Sequence, residues 1–310
     1  MTFAATNPRP AAPASVGSAT LKVASFNVEN YFVGPPDPTG RGPNNATELV
    51  RKRDKVAAAI KGLNADVVGL IELERGTSAV PNDAVNDLVA ALNAVDAPNT
   101  WAAVATPAAV YSVPVGTDTE IKSGMIYRTN KVSLSGASFT DTTAAVGTYS
   151  RAPIAQTFTQ LSNSEKFTLV VNHFRSKSCP GTGVDADAGD GQACFNGRRR
   201  TQAQAVQAFV NTTIVPIDPH VLIVGDINAY RQEDPVDVFR AAGYSDVIGT
   251  FVPSSFSSGN QLSAAPEEVL APSSQYSFTF NGEAGLLDHA FATSHLANLI
   301  TGATIWHINA

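Results

Sequence analysis

The chain has few charged residues, and the acidic ones outnumber the basic ones. Asp, Glu, Lys and Arg make up 15% of the 310 residues, and the formal net charge is −6 at pH 7. Proteins that hold nucleic acid by bulk electrostatics are normally basic, because phosphate neutralisation drives that binding. The composition therefore excludes an architectural nucleic-acid binder. It leaves open an enzyme in which divalent cations supply the positive charge at the reaction centre.

Long apolar runs are also missing. No stretch of 18 apolar residues occurs, so we expect no membrane span. Residues 1–20 lack the basic and apolar regions of a signal peptide and are rich in Pro and Ala, which predicts a linker. If the protein is exported, we expect its export signal to lie upstream. The hydrophobic content of 44% indicates a folded globular chain with a large core.

Cysteine is scarce: the chain contains only Cys179 and Cys194. The segment between them is polar and rich in Gly, so it would be floppy unless it were clipped. Closing a loop of about 15 residues contributes roughly 3 kcal/mol in the chain-entropy model. We predict a disulfide, with two unpaired thiols as the alternative. A disulfide favours an oxidising compartment, and the expected location is extracellular or periplasmic.

Apolar periodicity alternates between strands and helices from residue 21 onward. Helices are predicted at residues 48–63, 83–94 and 198–211, and a surface loop at residues 251–274. Strands are predicted at residues 21–27, 65–71, 101–105, 124–128, 152–159, 167–173, 221–225, 276–280, 286–292 and 303–307. This order predicts an α/β fold, a four-layer sandwich of two packed mixed β-sheets flanked by helices.

Acidic and amide side chains follow two of the most apolar strands. Asp226 and Asn228 come at the end of the strand 221–225, and Glu72 and Glu74 come at the end of the strand 65–71. Residues i and i+2 share a face of a strand, and ligands in α/β sheets gather at carboxyl ends. Oxygen ligands of this kind suit a hard cation or a phosphate-bound water. The alternatives are an Asx turn at Asp226 and a solvated strand end at Glu72.

Three further polar residues interrupt or end apolar strands. Asn27 closes the first strand, and His173 ends the strand 167–173. His173 is either a structural residue or a group that donates a proton or positive charge to a phosphate. Asp288 lies within an apolar strand, where an unpaired carboxylate would be costly. Together with the acidic strand ends, these residues predict one polar patch where several strands converge.

The sequences of these segments resemble those of the endonuclease/exonuclease/phosphatase superfamily, and most closely those of its secreted bacterial extracellular nucleases. The resemblance spans residues 21–307 in family order. It rests on LKVASFNVENYF, NADVVGLIELE, SGMIYR, RAPIAQTF, VVNHFRSKSCPG, ACFNGRRRTQAQAV, VGDINAY and YSFTFNGEAGLLDHAFAT. It implies a metal-dependent phosphodiesterase that hydrolyses nucleic acid, DNA first and RNA as a second substrate. No membrane or protein partner is expected.

The resemblance also implies roles for individual residues. Asn27 and Glu72 would bind the divalent metal, expected to be Mg²⁺, with Mn²⁺ or Ca²⁺ as alternatives; Glu74 is the less favoured ligand. His173 would donate a hydrogen bond or a proton to the scissile phosphate, and Asp226 and Asn228 would orient the attacking water and the phosphate. Asp288 would hold a second catalytic histidine in its tautomer. Arg151 would steady the region near the phosphate. The arginines at 198–200 open a predicted helix, where cations oppose the dipole. They indicate a phosphate partner or a solvated helix end.

One element of the family pattern is absent. The Ser-Asp-His motif, which supplies a metal-binding Asp and the general-base His, does not occur in this sequence. We therefore expect residues 21–310 to form a catalytic domain that is incomplete at its C-terminus, lacks the final strand and has impaired activity. The alternatives are a phosphatase or phospholipase of the same fold, or an inactive fragment that binds nucleic acid.

Overall fold

The computed structural model describes residues 12–35, 40–77, 79, 83–112, 120–143, 151–179, 181–252, 275–280 and 283–308. Its strands are β1 Val23–Tyr31, β2 Val67–Glu74, β3 Trp101–Ala103, β4 Ile121–Arg128, β5 Val132–Leu134, β6 Phe139–Thr140, β7 Arg151–Gln160, β8 Lys166–His173, β9 Val221–Asp226, β10 Ser245–Asp246, β11 Phe278–Phe280, β12 Glu283–Gly285 and β13 Asp288–Ala292. Its α-helices are α1 Ala46–Leu63, α2 Asp83–Val95, α3 Asn196–Phe209, α4 Asp234–Ala241, α5 Val247–Phe251 and α6 Ser294–Ala297.

The strands form two main sheets, both of them mixed. The first sheet has the order β1-β2-β4-β3, with β1 and β2 parallel. The second has the order β10-β13-β9-β8-β7-β5, with β8 and β9 parallel and β6 added to β7. Strands β11 and β12 form a separate hairpin. The predicted pair of mixed sheets is confirmed.

The two sheets pack face to face, and helices cover their outer faces. The inner layer is made of apolar side chains from both sheets, among them Val67, Ile71, Met125, Leu169, Val171 and Val224. Helices α1 and α2 pack on the outer face of the first sheet, and α3 and α4 on that of the second. A Cβ atom added to Gly69 would lie 2.6 Å from a methyl carbon of Val171, so the sheets touch there. The predicted four layers are confirmed.

Helix α1 has capping residues at both ends. The side chain of Asn45 accepts a hydrogen bond from the backbone N–H of Glu48, whose carboxylate in turn accepts one from the backbone N–H of Asn44. Such reciprocal bonds satisfy amide groups that the first helical turn leaves unpaired. Asn64 ends the helix in the left-handed conformation with φ 47°, which Asn tolerates better than most residues. The predicted helix 48–63 therefore begins two residues too late.

Two features near the C-terminus correct the sequence analysis. The predicted strand 303–307 is wrong, because residues 301–307 form no strand. Ala303 and Ile305 instead pack against Ile248, Val252 and Leu286, while Trp306 lies against Gly62 of α1. Alternation there reflects packing against two different surfaces, not a sheet. Strand β13 also begins later than predicted, at Asp288.

Other segments lie beyond the sequence predictions or beyond the described residues. Helix α4, which begins at an Asp-Pro pair, was not predicted. Most of the predicted loop 251–274 lies outside the described residues. At the predicted linker, the backbone N–H groups of Ser18 and Ala19 donate to the hydroxyl of Thr301; the boundary at residue 20 stays a prediction. No helix in the described part of the chain is both long and apolar enough to cross a membrane.

Candidate active site

Polar side chains from both sheets meet at one end of the sandwich. His173 at the end of β8 and Asp226 at the end of β9 face each other in the parallel register. The Nε2 atom of His173 lies 3.7 Å from Oδ2 of Asp226 and 3.9 Å from Oε1 of Glu72, which comes from β2 in the first sheet. The predicted convergence of His173, Asp226 and Glu72 is thus present in the structure.

Arg151 is the direct neighbour of His173. The two residues are register partners across β7 and β8, and Nη2 of Arg151 donates to Nε2 of His173 over 2.9 Å. Because guanidinium has no acceptor, Nε2 of His173 must be the acceptor, which places the proton of the neutral ring on Nδ1. Nη1 of Arg151 lies 3.4 Å from the carbonyl oxygen of Phe174. Both side chains are buried.

The electrostatics of this pair keep the histidine neutral. Burial lowers the pKa of His173 well below its ordinary value, and the charges of Arg151 and Arg41 lower it further. Burial also lowers the pKa of Arg151 to about 10, although Glu72 and Asp226 oppose that effect. Arg151 therefore stays charged at neutral pH. Of the two interpretations given to His173 as a phosphate ligand, the geometry favours a neutral hydrogen-bonding ring over an imidazolium.

Glu72, Asp226 and Asp288 form an acidic cluster at the same end of the sandwich. Asp288 opens β13 and is the register partner of Asp226. Burial raises the pKa of Asp226 well above its ordinary value, and the charges of Asp288 and Glu72 add to this. Burial and the charge of Glu72 also raise the pKa of Asp288, against a hydrogen bond from Ser277. Carboxylates in such surroundings bind protons, or cations, more readily than isolated ones.

The turn after β9 fixes Asn228 beside the histidine strand. Gly225 has φ 132°, and a Cβ atom there would lie 2.0 Å from the carbonyl oxygen of Asn172, so only glycine fits. The backbone N–H of Asn228 donates to Oδ1 of Asp226 over 2.8 Å, and its Nδ2 donates to the carbonyl oxygen of Phe174 over 3.2 Å. The Asx turn offered as the alternative is thus present. It also brings Asn228 to the site.

Asn27 and Glu72 are joined directly. Nδ2 of Asn27 donates to Oε1 of Glu72 over 3.1 Å, and the backbone N–H of Asn30 donates to Oε2 over 3.0 Å. Glu72 has φ 67° at an irregularity in the pairing of β2 with β4. Glu74, two residues on, instead accepts from the backbone N–H of Val33 over 2.7 Å. The bulge therefore separates the two glutamates, one toward the site and one toward the end of β1.

The site contains few side chains that could bind a divalent metal. Among the residues that the structure describes, no three His, Cys, Asp or Glu side chains are close enough to hold a metal ion by themselves. Mg²⁺ normally needs only one or two protein carboxylates, because it keeps several waters and binds substrate phosphates. Glu72 supplies one such carboxylate, and the mutual repulsion within the acidic cluster favours a cation nearby. The amide oxygen of Asn27 accepts the backbone N–H of Glu29 over 2.8 Å, while its Nδ2 faces Glu72. Carboxylate and amide oxygens are donor types that suit Mg²⁺.

The loop between Cys179 and Cys194 is held by arginines of helix α3. The two cysteines form a disulfide, which confirms the sequence prediction. Arg199, fully buried, donates to the backbone carbonyl oxygens of Cys194 and Gln192, each over 2.7 Å. Arg198 pairs with the carboxylate of Asp185. Arg198 and Arg199 thus hold the loop in place. Arg199 is neither a phosphate ligand nor part of a solvated helix end, the two interpretations given for residues 198–200.

Two contributors to the site were missed by the sequence analysis. Arg41 affects the pKa of His173 through its charge and lies 3.3 Å from Glu120. The hydroxyl of Ser277 accepts the backbone N–H groups of Leu287 and Asp288. Both residues lie in polar, Gly- or Ser-containing segments with no periodicity. No local signal in the sequence identifies them.

Comparison with known proteins agrees with this architecture. A family model described as the Endonuclease/Exonuclease/phosphatase family matches residues 24–308. No curated protein sequence matches the chain. Among solved structures, a β-hairpin deletion mutant of the beta toxin from Staphylococcus aureus is 16% identical, with a TM-score of 0.54, and the match covers 89% of this chain and 88% of that one.

Two further structures share the fold. The human Nocturnin catalytic domain with bound sulfate is 14% identical, with a TM-score of 0.53 and coverage of 94% and 89%. A mannosyl-6-phosphatase from Bacteroides thetaiotaomicron is 16% identical, with a TM-score of 0.52 and coverage of 89% and 86%. At such identities the likeness concerns the fold. Because the family model spans almost the whole sequence, the chain belongs to the endonuclease/exonuclease/phosphatase family.

Proposed function

We propose that the protein is a metal-dependent phosphodiesterase that hydrolyses nucleic acid, DNA first and RNA as a second substrate. Members of its family are hydrolases, and they generally use divalent metal ions. The observation that carries the proposal is the buried pair of Arg151 and His173 facing the carboxylates of Asp226 and Glu72. A fixed guanidinium beside an imidazole and acids is suited to a phosphate and to moving protons around it.

Each group has a distinct task in this proposal. Asn27 and Glu72 would hold the divalent ion, which when bound supplies positive charge to the phosphate oxygens. The guanidinium of Arg151 offers donors to non-bridging oxygens, and His173, which accepts from Arg151 through Nε2, holds that guanidinium in place. Asp226, with its raised pKa, takes the proton of the attacking water. The ester bond opposite that water breaks, and its oxygen leaves as an alkoxide that takes a proton from solvent.

Asp226 is assigned as the base because no second histidine is available in the site. The sequence contains five histidines, all within the described residues. Of these, His289 donates through Nε2 to the carbonyl oxygen of Ala229 over 2.8 Å, and His220 contacts Asp218. Loss of a general base typically costs about 10² to 10⁴ in rate. We therefore expect slow turnover, with the neighbouring Asp288 making Asp226 a stronger proton acceptor by raising its pKa.

A phosphatase or phospholipase of the same fold is the runner-up, followed by an inactive nucleic-acid-binding module. The mannosyl-6-phosphatase among the similar structures shares the fold but not enough sequence to transfer its substrate. The disulfide supports an oxidising compartment, extracellular or periplasmic.

The two glutamates of β2 provide a matched test. Hydrolysis of bis(p-nitrophenyl) phosphate and of p-nitrophenyl phosphate would be measured with Mg²⁺, with Mn²⁺ and with EDTA. We expect metal-dependent turnover of the diester, abolished by Glu72→Gln and retained by Glu74→Gln, since the carboxylate of Glu74 accepts from the backbone N–H of Val33 at the end of β1. Turnover of the monoester alone would favour the phosphatase. Equal losses in both variants would contradict the metal role of Glu72.

A further inference from the structure

The end of β1 bends around the carboxylate of Glu72. Between two pairs of register partners, β1 has three residues where β2 has only Glu72. These three residues, which we call the β1 bulge, are Val28, Glu29 and Asn30. Nδ2 of Asn27, just before the bulge, donates to Oε1 of Glu72, and the backbone N–H of Asn30, at its end, donates to Oε2. The bulge therefore holds both oxygens of one carboxylate.

The β1 bulge is both anchored and strained. Val28 is buried in the core between the first sheet and its helices. Glu29 and Asn30 each have φ 54°, and Glu72 opposite them has φ 67°. Such positive φ values are uncommon outside glycine, although Asn tolerates them better than most residues. Backbone strain of this kind persists where the surrounding structure fixes it, and it is concentrated at ligand-binding and catalytic sites.

The two asparagines at the bulge differ in what their amide oxygens contact. Oδ1 of Asn27 accepts the backbone N–H of Glu29 over 2.8 Å. Oδ1 of Asn30 is buried and meets no hydrogen-bond donor among the residues that the structure describes. A buried carbonyl oxygen without a partner costs free energy, so such an atom normally has a bound ion or an ordered water beside it.

The surroundings of this oxygen favour a cation. The backbone of Asn30 is bonded to Glu72, and each oxygen of that carboxylate keeps lone pairs beyond the hydrogen bond that it accepts. Glu72 also belongs to an acidic cluster in which its charge and that of Asp288 act on Asp226. Carboxylate and amide oxygens are both ligands of hard divalent cations.

We propose that Asn30 is a further ligand of the divalent ion, which its amide oxygen binds beside the carboxylate of Glu72. This inference rests on the proposed function and deepens it, because it adds to the metal site a residue that the family resemblance does not supply. Asn30 then has two tasks: its backbone N–H orients the carboxylate, and its side chain binds the ion. Both tasks depend on the bend that the β1 bulge imposes.

The test measures Mn²⁺ binding without substrate, from the electron paramagnetic resonance signal of the free ion. Asn30→Gly removes the amide oxygen but keeps the backbone N–H that donates to Glu72, and glycine adopts a positive φ without strain. The control is Asn99→Gly, because Asn99 also has a positive φ, of 61°, but is exposed and lies beyond the opposite end of β4. We expect Asn30→Gly to weaken Mn²⁺ binding about tenfold and Asn99→Gly to match the parent.

Two further variants separate the possible failures, and thermal melting would verify that each is folded. Asn30→Asp should bind Mn²⁺ more tightly than the parent, because a carboxylate adds charge to the ligand set, and Glu72→Gln should abolish binding. If Glu72→Gln loses Mn²⁺ while Asn30→Gly binds it as tightly as Asn99→Gly does, Asn30 is not a ligand. A parent that binds no Mn²⁺ would overturn this inference and the metal dependence together. Asn30-dependent binding without hydrolysis of bis(p-nitrophenyl) phosphate would support the ligand and reject the proposed catalysis.

Discussion

His289 makes the stability of the protein depend on pH in a way that can be calculated. The side chain is 3% exposed, donates through Nε2 to the carbonyl oxygen of Ala229 and stacks on Phe291. Burial lowers its pKa from 6.5 to about 4, with Arg240 and Arg231 lowering it further, while the Ala229 bond and Asp246 oppose the shift. Below pH 6.5 the unfolded chain therefore takes up a proton that the folded chain refuses. Stability is full above that pH and falls as the pH approaches 4.

The size of the effect follows from the shift. One pKa unit corresponds to about 1.4 kcal/mol, so acidification from pH 7.5 to 4.5 should cost about 2 to 3 kcal/mol through His289. Urea unfolding of the parent and of His289→Gln would be compared across this range, with His295→Gln as the control at an exposed histidine. Gln can donate to Ala229 but does not titrate.

We expect His289→Gln to be less stable than the parent at pH 7.5, and the gap to close by about 2 to 3 kcal/mol at pH 4.5. His173, also buried and neutral, and the acidic cluster titrate in both proteins and cancel from the comparison. Parallel curves for the parent and His289→Gln would refute the reasoning.

Three other perturbations have defined outcomes. Asp226→Asn should abolish turnover and raise the stability of the metal-free protein at pH 8 by about 1 kcal/mol. The reason is that a carboxyl group with a raised pKa loses its contribution to stability as the pH rises through that pKa. Equal melting temperatures of variant and parent in EDTA would contradict this. Cys179→Ser should lower the free energy of unfolding by about 3 kcal/mol in denaturant titrations, and no loss would mean that the clip is dispensable. Gly225→Ala should cost more than about 2 kcal/mol, because its Cβ would overlap the carbonyl of Asn172; a melting temperature like that of the parent would disprove the close contact.

Much of the framework was readable in the sequence because the central strands are buried on both faces. β2, β8 and β9 are continuous apolar runs, and the polar ends of β8 and β9 meet because parallel neighbours end at the same edge. The meeting of His173 and Asp226 follows from that rule, whereas Glu72 reaches them from the facing sheet. The disulfide was predictable from composition, since only two cysteines are present.

Register and local irregularity could not be read in the same way. Arg151 meets His173 because β7 pairs antiparallel with β8 and shifts register between Arg151 and Ile154. Glu72 and Glu74 occupy equivalent positions in the pattern, yet a positive φ at Glu72 gives them different partners. A one-residue irregularity of this kind leaves no trace in apolar periodicity.

The C-terminal segment shows how the same pattern can mislead. Residues 303–307 have the alternating pattern of a strand, but they pair with no other strand. Ile305 packs in an apolar cluster, and Trp306 packs against helix α1. Helix α4 was missed although Pro235 near its start is a typical helix-initiating residue. Eight residues are too few for helical periodicity to emerge against the polar background.

The most direct test of metal-dependent nucleic-acid hydrolysis at this site is nicking of supercoiled plasmid by the purified chain. The plasmid would be incubated with Mg²⁺, with Mn²⁺ and with EDTA, beside Asp226→Ala and the Glu74→Gln control. We predict slow conversion to the open circular form that requires metal, survives in Glu74→Gln and disappears in Asp226→Ala. Nicking that persists in Asp226→Ala, or none with either metal, would contradict the account.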